Sequence, residues 1–185
     1  STLMRSSAAS DVYKRQLAAG SKAAAKLGSD GSGYDLAKML GHKLVPVVPA
    51  LVQLRCREKL YRQVAGVRTH GKVTVFIDGT ETASDIGELQ LTDYGISGIP
   101  VFQISRYATR ALADEKHPYV LIDFAPDLTD KEFFDLLSER FYENTHGKSA
   151  GEALIGLFNR KLSEVLLSEA GIRSVSYTHL RAHET

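Results

Sequence analysis

Lys72–Gly79 (KVTVFIDG) decides the first half of the fold. Val73, Val75 and Ile77 alternate with Lys72, Thr74 and Phe76, the two-residue period of a strand. Asp78-Gly79 follows at once, a pair that tolerates the positive φ angles of a two-residue hairpin turn. A strand, a tight turn and a returning strand are therefore expected. Downstream, Gly87–Leu91 (GELQL) reads as another short strand, and Tyr119–Phe124 (YVLIDF) as an apolar strand closed by Pro126. Upstream, Lys43–Leu54 (KLVPVVPALVQL) must be extended, because Pro46 and Pro49 cannot sit in a helix interior.

Helices lie on either side of these strands. Tyr34 to Leu40 carries Tyr34, Ala37 and Leu40 on one side and stops at Gly41. Tyr94–Pro100 (YGISGIP) reads as a glycine-rich turn, and Val101 to Asp114 as a helix with Val101, Ile104, Ala108, Ala111 and Leu112 on one face. From Thr129 the helical period takes over. Thr129-Asp-Lys-Glu132 and Ser149-Ala-Gly-Glu152 both fit capping boxes, in which the hydroxyl accepts from an early helical amide and the carboxylate reaches back to the cap amide. Phe133, Phe134, Leu137 and Phe141 form a stripe after the first. Leu154, Leu157, Phe158, Leu162, Val165, Leu166 and Leu167 follow the second, up to Gly171. Strands before Pro126–Thr129 and helices after it give an α+β class with a boundary there.

Composition narrows the function classes. The chain has 185 residues, 43% hydrophobic and 24% charged, enough apolar content for a packed core. Lys plus Arg is 23 against Asp plus Glu 22, so no net charge draws it toward nucleic acid or anionic membrane. One cysteine, Cys56, excludes an internal disulfide framework and a multi-cysteine zinc site. No apolar run reaches the roughly 20 residues of a membrane helix, and a cytoplasmic protein is expected. Residues 1–16 and 174–185 are polar, rich in Ser, Arg and His, and without period. Both resemble translated sequencing-adaptor read-through. They are expected to be artefactual, leaving 17–173 as an internal piece of a longer protein. His179 and His183, four apart, fall in the second tail and are not expected to be metal ligands.

Gly28–Gly33 (GSDGSG), running into a helix, is the foremost candidate for chemistry. Glycines permit close backbone approach, and helix amides favour an anion. A phosphate cradle and a plain turn are both open. His42, just after Gly41, is either an acid/base or a complement to the helix dipole. Cys56 lies between Arg55 and Arg57, which would lower its thiol pKa, or it is an ordinary strand thiol. His70, His117 and His146 sit in polar turns. Asp123, Asp127 and Asp130 suit capping and turns. Arg55, Arg57, Lys59 and Arg62 around Tyr61 are either a phosphate-contacting patch or a solvated face.

Three segments together resemble a known family. Leu17-Ala-Ala-Gly-Ser21 with Gly28–Tyr34 and Leu40-Gly41-His42 is similar to the "ATGG…GSTGDGY…A…GH" stretch of flavoproteins with two dinucleotide-binding domains. Pro46–Leu54 (PVVPALVQL) resembles the "P…PaLvpL" of one branch. Gly87–Arg106 (GELQLTDYGISGIPVFQISR) resembles that branch's "GElLFTHxGiSGPavLqlSr". The branch is the HI0933-like, aminoacetone-oxidase-like family of NAD(P)/FAD-dependent oxidoreductases.

The resemblance implies an FAD-binding α/β domain interrupted by an insertion made of a small translation-factor-like β-barrel and a compact helical subdomain. Residues 17–50 would then be a remnant of the FAD domain, 51–127 the barrel and 128–173 the helical subdomain. The dinucleotide fingerprint and the C-terminal flavin segment would lie outside this chain, which would be inactive alone. Ala19, Gly20, Gly28, Gly31 and Gly33 fall on the family's cofactor-contacting positions. Ala19 replaces a Thr there, Ser21 a Gly, and Ser32 the Asp of "GDG". Gly95, Ser97 and Gly98 match the "GxSG" turn, implied either to pack or to shape the substrate side. The cofactor implied is FAD, with a small-molecule substrate and no metal. A stand-alone module binding protein or RNA through Arg55–Arg62 is the alternative.

Overall fold

The computed structural model describes residues 16–143 and 149–172. His146, His179, His183 and both tails apart from Gln16 lie outside the described residues. The chain divides into two units, one ending at Val47 and the other beginning at Val48.

In the first unit, Lys22–Leu27 forms a 3-10 helix that was not expected from the residues. Ser21 caps it, its hydroxyl accepting the Ala23 N–H at 3.2 Å. Residues 16–21 form no strand. The expected helix is α1 (Ser32–Met39). It ends on Gly41, at φ 87°, with the Gly41 N–H on Lys38 O (2.9 Å) and the His42 N–H on Ala37 O (3.1 Å). These two bonds close a Schellman motif and satisfy carbonyls that the helix end would leave free.

The second unit is α+β. Its antiparallel sheet contains β1 (Leu54–Arg55), β2 (Arg68–Ile77), β3 (Thr80–Thr92), β4 (Gly95–Ser97) and β5 (Pro118–Asp123), in the order β1-β4-β3-β2-β5. β2 and β3 form the expected hairpin. Asp78 and Gly79 turn it at φ 51° and 82°, and Ile77 pairs with Thr80. Alternate residues Val73 and Val75 of β2, Leu89 and Leu91 of β3, and Ile96 of β4 are almost wholly buried. They meet Val101, Ile104 and Ala108 of α2 (Ile99–Ala113) in one core.

Two sequence expectations change here. Residues 95–97 are a strand rather than part of a turn, hydrogen-bonded to β1 on one side and β3 on the other. Leu112 of α2 is exposed, and Ser105, fully buried, takes the inward position. Its hydroxyl donates to Phe102 O (2.8 Å) and accepts the Val52 N–H (3.2 Å). The Thr109 hydroxyl donates to Pro49 O (2.6 Å). Two α2 hydroxyls thereby hold the proline-rich extended segment before β1, whose prolines offer no N–H for a ladder.

The helical part comprises α3 (Asp130–Ser138), α4 (Ala150–Ala153) and α5 (Arg160–Glu169). Both capping boxes form. The second opens only one turn of helix. Gly156 at φ 83° interrupts it, and the Asn159 side chain starts α5 by accepting the Lys161 N–H at 3.0 Å. Phe134 stands exposed, outside the stripe assigned to it. Leu162 and Val165 of α5 join the sheet core, whereas Leu167 joins Ala150 and Leu154 in a second cluster. So α5 ties the helices to the sheet.

At the start of α3, Glu132 accepts from the Thr129 N–H and hydroxyl, both at 2.8 Å. These bonds hold its carboxyl below the ordinary 4.5. A depressed folded pKa means that the support is complete above the unfolded value and is lost as pH falls through the folded one. Thr129→Ala should cost about 1 kcal/mol at neutral pH, read as a lower urea midpoint with an unchanged m-value.

Candidate functional site

The first unit gathers the sequence's cofactor-contacting candidates around one turn. The Ser29 hydroxyl donates to Ser21 O at 2.5 Å and lies 3.3 Å from Ala19 O, folding the Ala19–Ser21 stretch onto the glycine loop. A Cβ on Gly33 would come within 2.8 Å of the Ala19 Cβ. One on Gly20 would come within 2.5 Å of the Ser29 Oγ, and one on Gly31 within 2.5 Å of the Lys22 side chain. Gly28 faces open space and ends the 3-10 helix, its N–H on Ala25 O at 3.0 Å.

This turn does not fit a flavin dinucleotide by itself. The close approaches at Gly20, Gly31 and Gly33 are filled by the chain's own Ser29, Lys22 and Ala19. The first amide of α1 is already answered, because Asp30 Oδ1 accepts the Ser32 N–H at 2.9 Å. That bond, the Ser32 hydroxyl and the Lys22 charge hold the Asp30 carboxyl below its ordinary value, so an anion already stands at the helix start. The recess beside it, between Lys22, Asp30, Tyr34 and Lys38, is about 220 Å³, under the roughly 300 Å³ lower end of ligand pockets. His42 contributes its backbone to the Schellman motif, and its exposed side chain has no hydrogen-bond partner among the described residues.

The Gly87–Arg106 signature builds a second place. It runs through the end of β3, β4 and the start of α2. Gly98 caps α2 at φ 114°, and a Cβ there would lie 2.5 Å from Glu88 O. Glycine therefore lets the helix start lie directly on β3. No side chain caps α2. Arg68, Glu88, Gln90, Ser97, Ile99 and Phe102 surround a recess of about 400 Å³ at that helix start. Sequence reasoning assigned this motif a packing or shaping role and missed the recess, because Arg68 arrives from β2, some thirty positions away from α2 in the chain.

A third feature, an apolar cleft of about 380 Å³, opens between β5 and the helices. Phe124, Leu128, Phe133, Leu137, Phe158 and Leu166 line much of it. The stripes that follow the two capping boxes are its only trace in the sequence.

The remaining candidates separate. Cys56 is half-buried, and burial pushes its thiol up, with Glu58 adding to the rise and the Tyr61 hydroxyl partly opposing it. Arg55 and Arg57 therefore do not activate it, contrary to the option raised by their adjacency. Tyr61 packs against the sheet core and burial pushes its phenol up too. Arg55 lies over the Tyr94 ring at 5.5 Å. The aromatic centre of the basic cluster is thus turned inward, away from any stacking base. His70 meets Asp127 at 3.5 Å in an exposed pair, and Asp123 accepts the Ala125 N–H at 2.8 Å in a turn. Among the described residues, no group of three or more His, Cys, Asp or Glu could hold a metal ion, and no helix is long and apolar enough to cross a membrane.

Comparison with known proteins gives two likenesses. Residues 48–184 match the family described as HI0933-like protein barrel and H2TH domain. A 3-dehydro-bile acid delta(4,6)-reductase of Clostridium scindens is 44% identical over 157 residues, which cover 85% of this chain and 38% of that protein. The chain thus spans well under half the length of that relative.

Proposed function

Because this chain belongs to the HI0933-like family, we propose that it is part of an FAD-dependent oxidoreductase that reduces a small, largely apolar substrate. The observation that carries this is the 44% identity with a reductase across 85% of the chain. The second unit supplies the barrel-and-helix insertion. Its work is to shape and dry the substrate side: a packed sheet under α2, a recess at the helix start and an apolar cleft. The first unit supplies the turn that the family sets against its cofactor.

A flavin brings its own electron-accepting chemistry, and the protein's part is position and environment. Among the described residues only Cys56 and Tyr61 combine partial burial, a partner and a shifted pKa, and they are paired with each other against the sheet core. The chain alone is therefore inactive and does not retain FAD. Support comes from the filled glycine approaches and from Asp30 at the start of α1.

Titrating the purified chain with FAD tests this. The expected result is an unchanged flavin absorbance and fluorescence at micromolar protein. Stoichiometric binding with a shifted, resolved flavin spectrum would contradict it.

A further inference from the structure

We infer that the apolar cleft between β5 and the helices is a binding site for a small apolar amine, with the hydrocarbon body inside and the ammonium at the mouth. The cleft lies where two cores fail to meet. Ile122, Phe124, Phe158 and Leu166 pack against the sheet core, whereas Leu137 packs against the cluster of Ala150, Leu154 and Leu167. The space left between them is about 380 Å³. Close-packed interiors leave few voids larger than a water molecule, and this one exceeds the roughly 300 Å³ at which ligand pockets begin. Phe124, Phe133, Leu137, Phe158 and Leu166 line it, and each stays half-buried. An apolar guest would take their remaining surface out of water, a favourable transfer in proportion to the area covered. Phe133 and Phe158, tilted by 59° with ring centroids 6.3 Å apart, make an aromatic corner in the wall.

The polar lining selects the guest's head group. Among the described residues, Asp123 and Asp130 are the only charged side chains that line the cleft, and no Lys, Arg or His does. Asp123 is half-buried. Its Oδ1 accepts the Ala125 N–H at 2.8 Å, and its Oδ2 has no partner among the described residues. Asp130 is exposed at the first position of α3, and Lys131 beside it does not line the cleft. A carboxylate head would meet two like charges. An ammonium would meet two acceptors and the rings of Phe124 and Phe133, which attract cations. A neutral alcohol would use the acceptors without the charge. This site stands on the packing of the second unit and goes beyond the reductase reading, in which the cleft is only an apolar wall. Its guest is not assigned as the molecule reduced.

The test is an amide NMR titration of the isotope-labelled full chain at pH 7 with three probes that share one body: 1-aminoadamantane, 1-adamantanol and adamantane-1-carboxylate. The amine should give saturable shifts at Phe124, Phe133, Leu137 and Leu166. The alcohol should bind more weakly, and the carboxylate about tenfold more weakly than the amine. Asp123→Asn and Asp130→Asn keep the side-chain shape and should each cut the amine's advantage over the carboxylate several-fold. Leu128 lines the cleft and is 38% exposed, so Leu128→Trp fills the mouth from outside the core and should weaken all three probes. A well-dispersed spectrum shows that each variant is folded. Equal binding of the three probes, no binding, or shifts confined to the recess around Gly98 and Ile99 would overturn the proposal. So would shifts at these amides that follow protein concentration alone, the mark of a second copy in the cleft. The readout involves no flavin and no turnover, so failure here leaves the reductase reading to its own tests.

Discussion

Gly95→Ala should destabilise the second unit by about 3–5 kcal/mol, summing backbone strain and overpacking. Gly95 sits at φ 149° at the start of β4, the three-residue strand between β1 and β3. A Cβ there would overlap the Leu54 carbonyl oxygen and come within 2.8 Å of the Cys56 nitrogen and 3.1 Å of the Arg55 Cα. All three contacts are with backbone, so no side chain can swing away. Relief requires β1 to leave β4 and breaks the Cys56 N–H bond to Tyr94 O at 2.9 Å. Gly79→Ala is the control. It has a positive φ of 82° but open space around its Cβ, so only the local strain of about 1 kcal/mol applies. Urea unfolding should separate the two variants clearly. Equal midpoints would mean that β1 and β4 are not packed this closely.

Leu89→Ala should cost about 3–4 kcal/mol, within the range for large-to-small changes at fully buried sites. Leu89 is 0% exposed, on the central strand β3, in the cluster with Val73, Ile96 and Ile104. The surrounding groups belong to a sheet and to a helix tied down by Ser105 and Thr109, so the cavity has little freedom to close. Leu112→Ala on the same core's helix is the comparison. Leu112 is 62% exposed despite its place in the apolar pattern, and its removal should change stability by less than about 0.5 kcal/mol. A large loss at Leu112 and a small one at Leu89 would invert the assigned core.

These pairs also mark what was legible in the residues. The hairpin was, because Val73, Val75 and Ile77 keep one period up to a dipeptide that can adopt two positive φ angles. Both capping boxes were, because their chemistry is local. β4 was not. Gly95-Ile96-Ser97 has the composition of a turn, and only its neighbours on both sides make it a strand. The split between α4 and α5 was hidden for a similar reason, since the apolar spacing runs on through Gly156. Ser105 replaced Leu112 inside because its hydroxyl binds an extended segment more than fifty residues earlier, a partner no periodicity reveals. The glycine turn was marked as a place of close approach, and the atoms its glycines face are side-chain atoms of Ser29, Lys22 and Ala19. That the approaching group is the chain's own Ala19 and Lys22 is a tertiary fact. The recess at α2 needed three strands and a helix brought together, with Arg68 and Ser97 far apart in the chain.

The flavin-reductase account is tested most directly by a chimera. In the Clostridium scindens reductase, the stretch aligned with this chain over 157 residues would be replaced by this chain's own, and reduction of the 3-dehydro-bile acid measured. The account predicts a folded chimera that turns the substrate over. A chimera that is folded and soluble, yet shows no reduction above background, would contradict it.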